Sequence, residues 1–292
     1  MKNLTIAGFL NMTFYVLPFL VITFFTASVS AQSKSIEQYL KAAADYYSDL
    51  QFDKALSELE KAEKIQPKNA EIYWQRALIY QLTDKTDNDK AIANLTRVIE
   101  LNPKSARAYF LRAQIYEMES KFEEAVRDYT KTIKLNPKKA EAYYRRGNLF
   151  GQLTKYKHKA IADLTKAIRL RPDSFTYYEA RGLKYFEQEN YDPAIADFTA
   201  QIALIEKTKF LRAEHQKKFL EFPLEYRGRA FWLKKDFEKA LSDFSKLIEI
   251  SPRNIKAFSL RSSIYLELGK PELSLADAMK VQELEKEKQR PD

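Results

Sequence analysis

Six arginines stand at one recurring register in this chain: Arg76, Arg112, Arg146, Arg181, Arg227 and Arg261, each directly before a small residue. Between sixteen and eighteen residues after each comes a short polar side chain: Asn94, Asp128, Asp163, Asp197, Asp243 and Asp277. A guanidinium is a rigid fork of donors, so such a row can grip an anionic ligand or pair with carboxylates of the chain itself. Five of the six have an aspartate at matching spacing, which favours internal pairing: Arg112 with Asp128, Arg146 with Asp163, Arg181 with Asp197, Arg227 with Asp243 and Arg261 with Asp277. The spacing lengthens only where a turn is longer, at "TDKTDND" and "TKYKHK", so the pairs should follow a fold rather than a residue count. Partly buried pairs of this kind fix register more than they add stability.

Little else in the sequence could carry out a reaction. There is no cysteine, and the two histidines, His158 and His215, are too few and too far apart for a histidine metal site. No glycine-rich phosphate loop, nucleophile elbow or isolated acidic pair stands out, so the reading is of a protein that is not an enzyme and needs no cofactor or metal. Asn94-Leu95-Thr96 matches a glycosylation acceptor but falls inside a helical pattern, and is read as structural.

The elements that must position the arginines form a repeat. Pro67, Pro103, Pro137 and Pro172 are 36, 34 and 35 residues apart, and Pro252 follows 80 later. In register with them run two columns of small residues. One is Ala43, Ala77, Ala113, Gly147, Gly182, Gly228 and Ser262; the other is Ala55, Ala91, Ala125, Ala160, Ala194, Ala240 and Ser274. Two antiparallel helices approach closely only where both are small, which is why glycine is accepted at a helical position that would otherwise favour alanine by about 1 kcal/mol. Aromatic columns flank the first small residue, including Tyr73, Tyr109, Tyr143 and Tyr178 before it and Tyr80, Tyr116, Phe150 and Tyr185 after it. Their helical spacing marks core.

A period near 34 with these columns resembles the tetratricopeptide repeat, a helix-turn-helix unit. The resemblance covers seven units between residues 36 and 288, five within 36–208 and two within 221–288, with a polar cap to 292. It implies an all-α, right-handed superhelical solenoid that binds a protein or peptide segment in a groove lined by the first helices. In the groove-facing column stand Trp74, Phe110 and Tyr144, then Glu179, Glu225 and Ser259; neighbouring columns add Arg107, Gln114 and Asn148. Large aromatics on a solvent-facing side mark contact surfaces. The expected partner site is therefore Trp74, Arg107, Phe110, Gln114, Tyr144 and Asn148; the competing reading is that the rings pack between adjacent first helices. Family members that clamp carboxylate tails use lysine and asparagine at these columns. Only Asn148 fits, so a clamp is not expected.

Two segments break the pattern. Residues 1–31 carry one charge, Lys2, then the apolar run "FYVLPFLVITFF" and small residues ending Val29-Ser30-Ala31, the pattern of a secretory signal cleaved before Gln32. The rival is a retained membrane anchor over 4–27. Either places the bulk of the chain outside the cytoplasm, periplasmic or secreted. Residues 209–220, within "EKTKFLRAEHQKKFLEFP", exceed the period and read as a basic helical insertion, expected as a continuation of the preceding helix or a short helix of its own. It is a solvated extension or a docking element for a partner or a membrane surface.

The net charge of +9 arises from 49 basic and 40 acidic residues, interleaved along most of the chain. It permits acidic partners and anionic lipid without requiring either. Three functions then compete: an exported scaffold or adaptor, a nucleic-acid-associated helical array, and an envelope assembly factor anchored by its N-terminus. No nucleic acid is expected if the signal holds. Peripheral membrane association and oligomeric state are left open.

Overall fold

The computed structural model describes residues 36–82, 87–153, 158–210 and 212–288; the expected signal, 1–31, lies outside them. Among the described residues there is no strand. The helices are α1 (36–48), α2 (Phe52–Ile65), α3 (Ala70–Leu82), α4 (Asn88–Leu101), α5 (Ala106–Met118), α6 (Phe122–Leu135), α7 (Ala140–Gln152), α8 (Ala160–Leu170), α9 (Phe175–Glu187), α10 (Tyr191–Lys207), α11 (Ala213–Leu233), α12 (Phe237–Ile250), α13 (Ile255–Glu267) and α14 (Pro271–Lys288). The chain divides into two compact units after Lys121, one holding α1–α5 and the other α6–α14. No described helix is long and apolar enough to cross a membrane.

Two turn types generate the alternation. Between the helices of a hairpin, one residue enters the left-handed region: Leu50, Ser120, Glu189, Lys235 and Gly269. Its successor donates back to the carbonyl of the second aromatic column, as Gln51 does to Tyr46 (2.8 Å) and Asn190 to Tyr185 (2.9 Å). That bond is the Schellman closure of a helix C-terminus. Between hairpins, proline takes the second position of a four-residue turn. Asn69 donates to Gln66 across Pro67 (3.1 Å), and Asn254 to Ser251 across Pro252 (3.0 Å). Proline's fixed φ suits that position, and its missing N–H is not needed there.

Both small columns are buried. Ala77 and Ala91 in the first unit, and Ala194 and Ala240 in the second, have no accessible surface. A Cβ added to Gly147 would lie 3.0 Å from Leu164 Cγ; one added to Gly182 would lie 2.9 Å from Phe198 Cε1. In the last hairpin Ser262 and Ser274 meet hydroxyl to hydroxyl at 2.8 Å.

The structure corrects one expectation. The insertion is not a separate helix between repeats. Most of it is the beginning of α11, which runs unbroken through residue 220 to Leu233 with Pro223 buried in its interior. Gln216 Nε2 donates to the carbonyls of Ile205 (3.1 Å) and Glu206 (3.2 Å), so α11 starts where it can cap the end of α10. In the C-terminal hairpin Leu266, Leu275 and Met279, which precede the polar tail, are each 62% exposed.

Candidate functional site

In the first unit α1 and α3 enclose an open cavity of about 190 Å³. Ala43, Ala44 and Tyr47 line it from α1; Glu71, Trp74, Gln75, Leu78 and Ile79 line it from α3. The two alanines leave the space, and the half-buried Trp74 forms one wall. The guanidinium of Arg107, from α5, lies 4.3 Å from the Trp74 ring centre and donates to Glu71 Oε2 at 2.6 Å. Stacked and paired at once, it holds both Trp74 and Glu71 in place. Gln75 Oε1 is buried with no donor. An apolar box with one unsatisfied acceptor suits an apolar side chain carried on a backbone that can give an N–H.

The residues expected to form the partner site divide. Trp74 lines this cavity and Arg107 braces it without lining the cavity itself, while Gln114 is not on its wall. Phe110 keeps only 9% of its surface, so it is a core residue rather than an exposed contact ring. Tyr144 and Asn148 belong to the second unit. There Tyr144 stacks on the buried Tyr177 at 4.8 Å, packing between successive first helices. Reading along the aromatic column missed Ala43, Ala44, Tyr47 and Gln75, because a cavity between two helices leaves no mark at the period of one column.

In the second unit four arginines grip aspartates with both prongs. Arg146 Nε and Nη2 donate to Asp163 at 2.7 and 2.9 Å. The bonds are 2.8 and 2.7 Å for Arg181 and Asp197, 2.9 and 2.7 Å for Arg227 and Asp243, and 2.8 Å twice for Arg261 and Asp277. The free Nη1 donates to a hydroxyl on the second helix of the preceding hairpin: Thr130 for Arg146, Thr165 for Arg181, Thr199 for Arg227 and Ser245 for Arg261. Each of these four arginines thus ties two hairpins together, with all three of its guanidinium nitrogens donating to the chain itself. Within the first unit Arg112 donates to Thr96 in the same manner (2.8 Å); its expected mate, Asp128, falls in the second unit. Arg76 pairs with Glu63 at 2.6 Å, while Asn94 bonds to the Lys90 carbonyl, so these two are not partners. The hydroxyl column is legible in the sequence after the fact. It stands two residues past each position of the Asn/Asp column, in "NLT", "DYT", "DLT", "DFT" and "DFS".

One polar pair sits apart from this ladder. Burial pushes the Glu179 carboxyl above its ordinary range, against a donated bond from Gln201 Nε2 at 2.6 Å. Gln201 is 1% exposed, and its Oε1 has no partner. A group whose folded pKa is raised gives stability below the unfolded pKa that is lost as pH rises through the folded value. Glu179→Gln removes that loss and can donate to Gln201 Oε1. Urea unfolding at neutral pH is expected to show a gain of about 1 kcal/mol, shrinking towards acid.

Among the described residues no group of three or more His, Asp or Glu side chains is placed to hold a metal ion. The tetratricopeptide repeat family matches residues 70–105, 106–139, 140–174 and 227–254. This chain carries tetratricopeptide repeats. A 60-residue stretch, 20% of the chain, is 40% identical to Hsp70-Hsp90 organizing protein 1 of Glycine max. The match spans only 10% of that relative's length. Among solved structures, a tetratricopeptide repeat protein from Parabacteroides merdae aligns over 86% of this chain and 93% of its own, with a TM-score of 0.57 and 20% identity. YrrB, described as a TPR protein with an unusual peptide-binding site, aligns over 68% of this chain and 95% of its own, with a TM-score of 0.56 and 21% identity. At these identities the likeness is one of fold. The all-helical expectation holds among the described residues.

Proposed function

We propose that this chain is an exported scaffold that holds a peptide segment of a partner protein at the α1–α3 cavity, and that it binds rather than catalyses. The observation that carries the reading is Trp74, half-buried under the Arg107 guanidinium and beside the donorless Gln75 Oε1. A scaffold segment that only needed to pack would close this space and satisfy that oxygen. The peptide-binding description of YrrB, and the name of the Glycine max relative as an organizing protein of Hsp70 and Hsp90, support a peptide segment of a protein as the ligand. Export rests on the signal pattern of residues 1–31.

The test is peptide-library selection on the chain recovered from the exported fraction, whose first residue is expected to be Gln32. Selected peptides should carry an apolar anchor and should lose at least about thirtyfold in affinity on Trp74→Ala, the loss typical of a buried aromatic hot spot. Gln75→Leu, which keeps the fold's apolar surroundings, should also weaken them. Undiminished binding by both variants overturns the site, and an intact residue 1 on the recovered chain overturns the cleaved signal.

A further inference from the structure

The corner where α10 ends and α11 begins carries the densest unpaired positive charge along the described chain. Lys207, Lys209, Arg212, Lys217 and Lys218 are all exposed, and none joins an ion pair. Glu214 is the only carboxylate between 207 and 218. Glu206, just before them, is held by Lys246 at 2.7 Å. Elsewhere the cations are interleaved with acids and many are paired with them, as in Lys90 with Asp87 or Lys239 with Asp236.

The corner also presents an aromatic ring to solvent. Phe219 is 46% exposed. It stacks on Phe210 at 5.4 Å and 27° and leans on Phe175 at 5.4 Å. Each ring of the stacked pair has a lysine beside it in sequence, Lys209 next to Phe210 and Lys218 next to Phe219. The arrangement is built in advance: Gln216 fastens the start of α11 to the end of α10, and Leu220 is buried at 6% exposure. From Ala213 to Phe219 every residue except Gln216 is exposed, so this part of α11 stands out from its neighbours.

We infer that this corner docks on an anionic phospholipid bilayer. The charge is complementary to lipid phosphates, which attract exposed lysines and arginines within a Debye length of the surface. A half-exposed phenylalanine among them sits at the boundary of headgroup and acyl chain, as in interfacial helices. Cations spread round a protruding helix suit a broad surface, whereas an acidic peptide needs a cleft that fixes it. The inference is independent of the α1–α3 cavity.

The test is co-sedimentation of the full chain with phosphatidylcholine vesicles, with and without phosphatidylglycerol. Binding should require phosphatidylglycerol and fall as salt is added. The triple variant Lys209→Glu, Lys217→Glu, Lys218→Glu should lose at least about tenfold in partitioning. Reversing three exposed lysines elsewhere, Lys104→Glu, Lys138→Glu and Lys270→Glu, should change it less than about twofold, the size of a screened distant charge. Phe219→Ser should weaken vesicle binding severalfold and leave heparin binding unchanged. No preference for phosphatidylglycerol, equal loss from the two triple variants, or indifference to Phe219→Ser would each overturn the inference, the last in favour of a soluble polyanion such as nucleic acid or an acidic protein.

Discussion

Gly182→Ala should destabilise the second unit by roughly 1–3 kcal/mol, and Phe198→Leu should return much of that loss. On propensity alone the change would gain about 1 kcal/mol, since alanine is the better helix former. The new methyl, however, would sit 2.9 Å from Phe198 Cε1 and 3.2 Å from Asp197 Cβ, on the facing helix of the same hairpin. The chain itself shows the remedy. Ala43 and Ala77 go with Leu59 and Leu95, four past the facing alanine, whereas Gly182 and Gly228 go with Phe198 and Phe244; Ala113, which goes with Tyr129, departs from the exchange. The methyl and the larger ring fill the same space from opposite sides. Gly147 faces Leu164, so Gly147→Ala recreates the Ala77–Leu95 arrangement and should be close to neutral, whereas Gly147→Leu should cost as much as the clash at Gly182. Chemical unfolding of Gly182→Ala, Phe198→Leu and the double variant gives the coupling directly. Additive losses in that cycle would show that the two side chains do not share the space.

That exchange also shows where the sequence is legible and where it is not. The small columns, the aromatic columns and the prolines each repeat, and each reports a contact made within a hairpin or between one hairpin and the next. Contacts that repeat leave a period, so the helices and their order could be read directly. The α1–α3 cavity depends on Ala44 and Tyr47, which belong to one hairpin only. Phe110 and Tyr144 share a column with Trp74, yet the column says only which face of the helix they occupy. Phe110 is buried all the same, and Tyr144 stacks on Tyr177, a neighbour one repeat away. The start of α11 was hidden for a different reason. "EKTKFLRAEHQKKFLEFP" is helical in propensity throughout, and the start of α11 is fixed by Gln216 reaching back to the end of α10, a contact between residues about ten apart that no local preference encodes.

Arg227→Met should be the most damaging single change in the second unit, costing about 3–5 kcal/mol at neutral pH. Asp243 is 4% exposed, and burial already holds its carboxyl above the usual carboxylate range, against the bonds from Arg227. Without the guanidinium nothing offsets that burial. The carboxyl then protonates more readily, and because its folded pKa lies above the unfolded value, the variant should recover stability as pH falls through that raised pKa. Replacing both partners, Arg227→Met with Asp243→Leu, removes the buried charge altogether and should regain most of the loss. What the double variant cannot replace is the bond from Arg227 Nη1 to Thr199 on α10 (3.1 Å), which ties one hairpin to the one before. Global stability and hairpin register should therefore separate. Unfolding by urea would place the double variant near the parent, while amide exchange in α10 and α11 would run faster than in the parent. A loss below about 1 kcal/mol for Arg227→Met would put the pair with ordinary surface ion pairs, and unchanged exchange in the double variant would mean that apolar packing alone, of Ile202 and Ile205 on α10 with Leu220 and Leu224 on α11, holds the two hairpins in register.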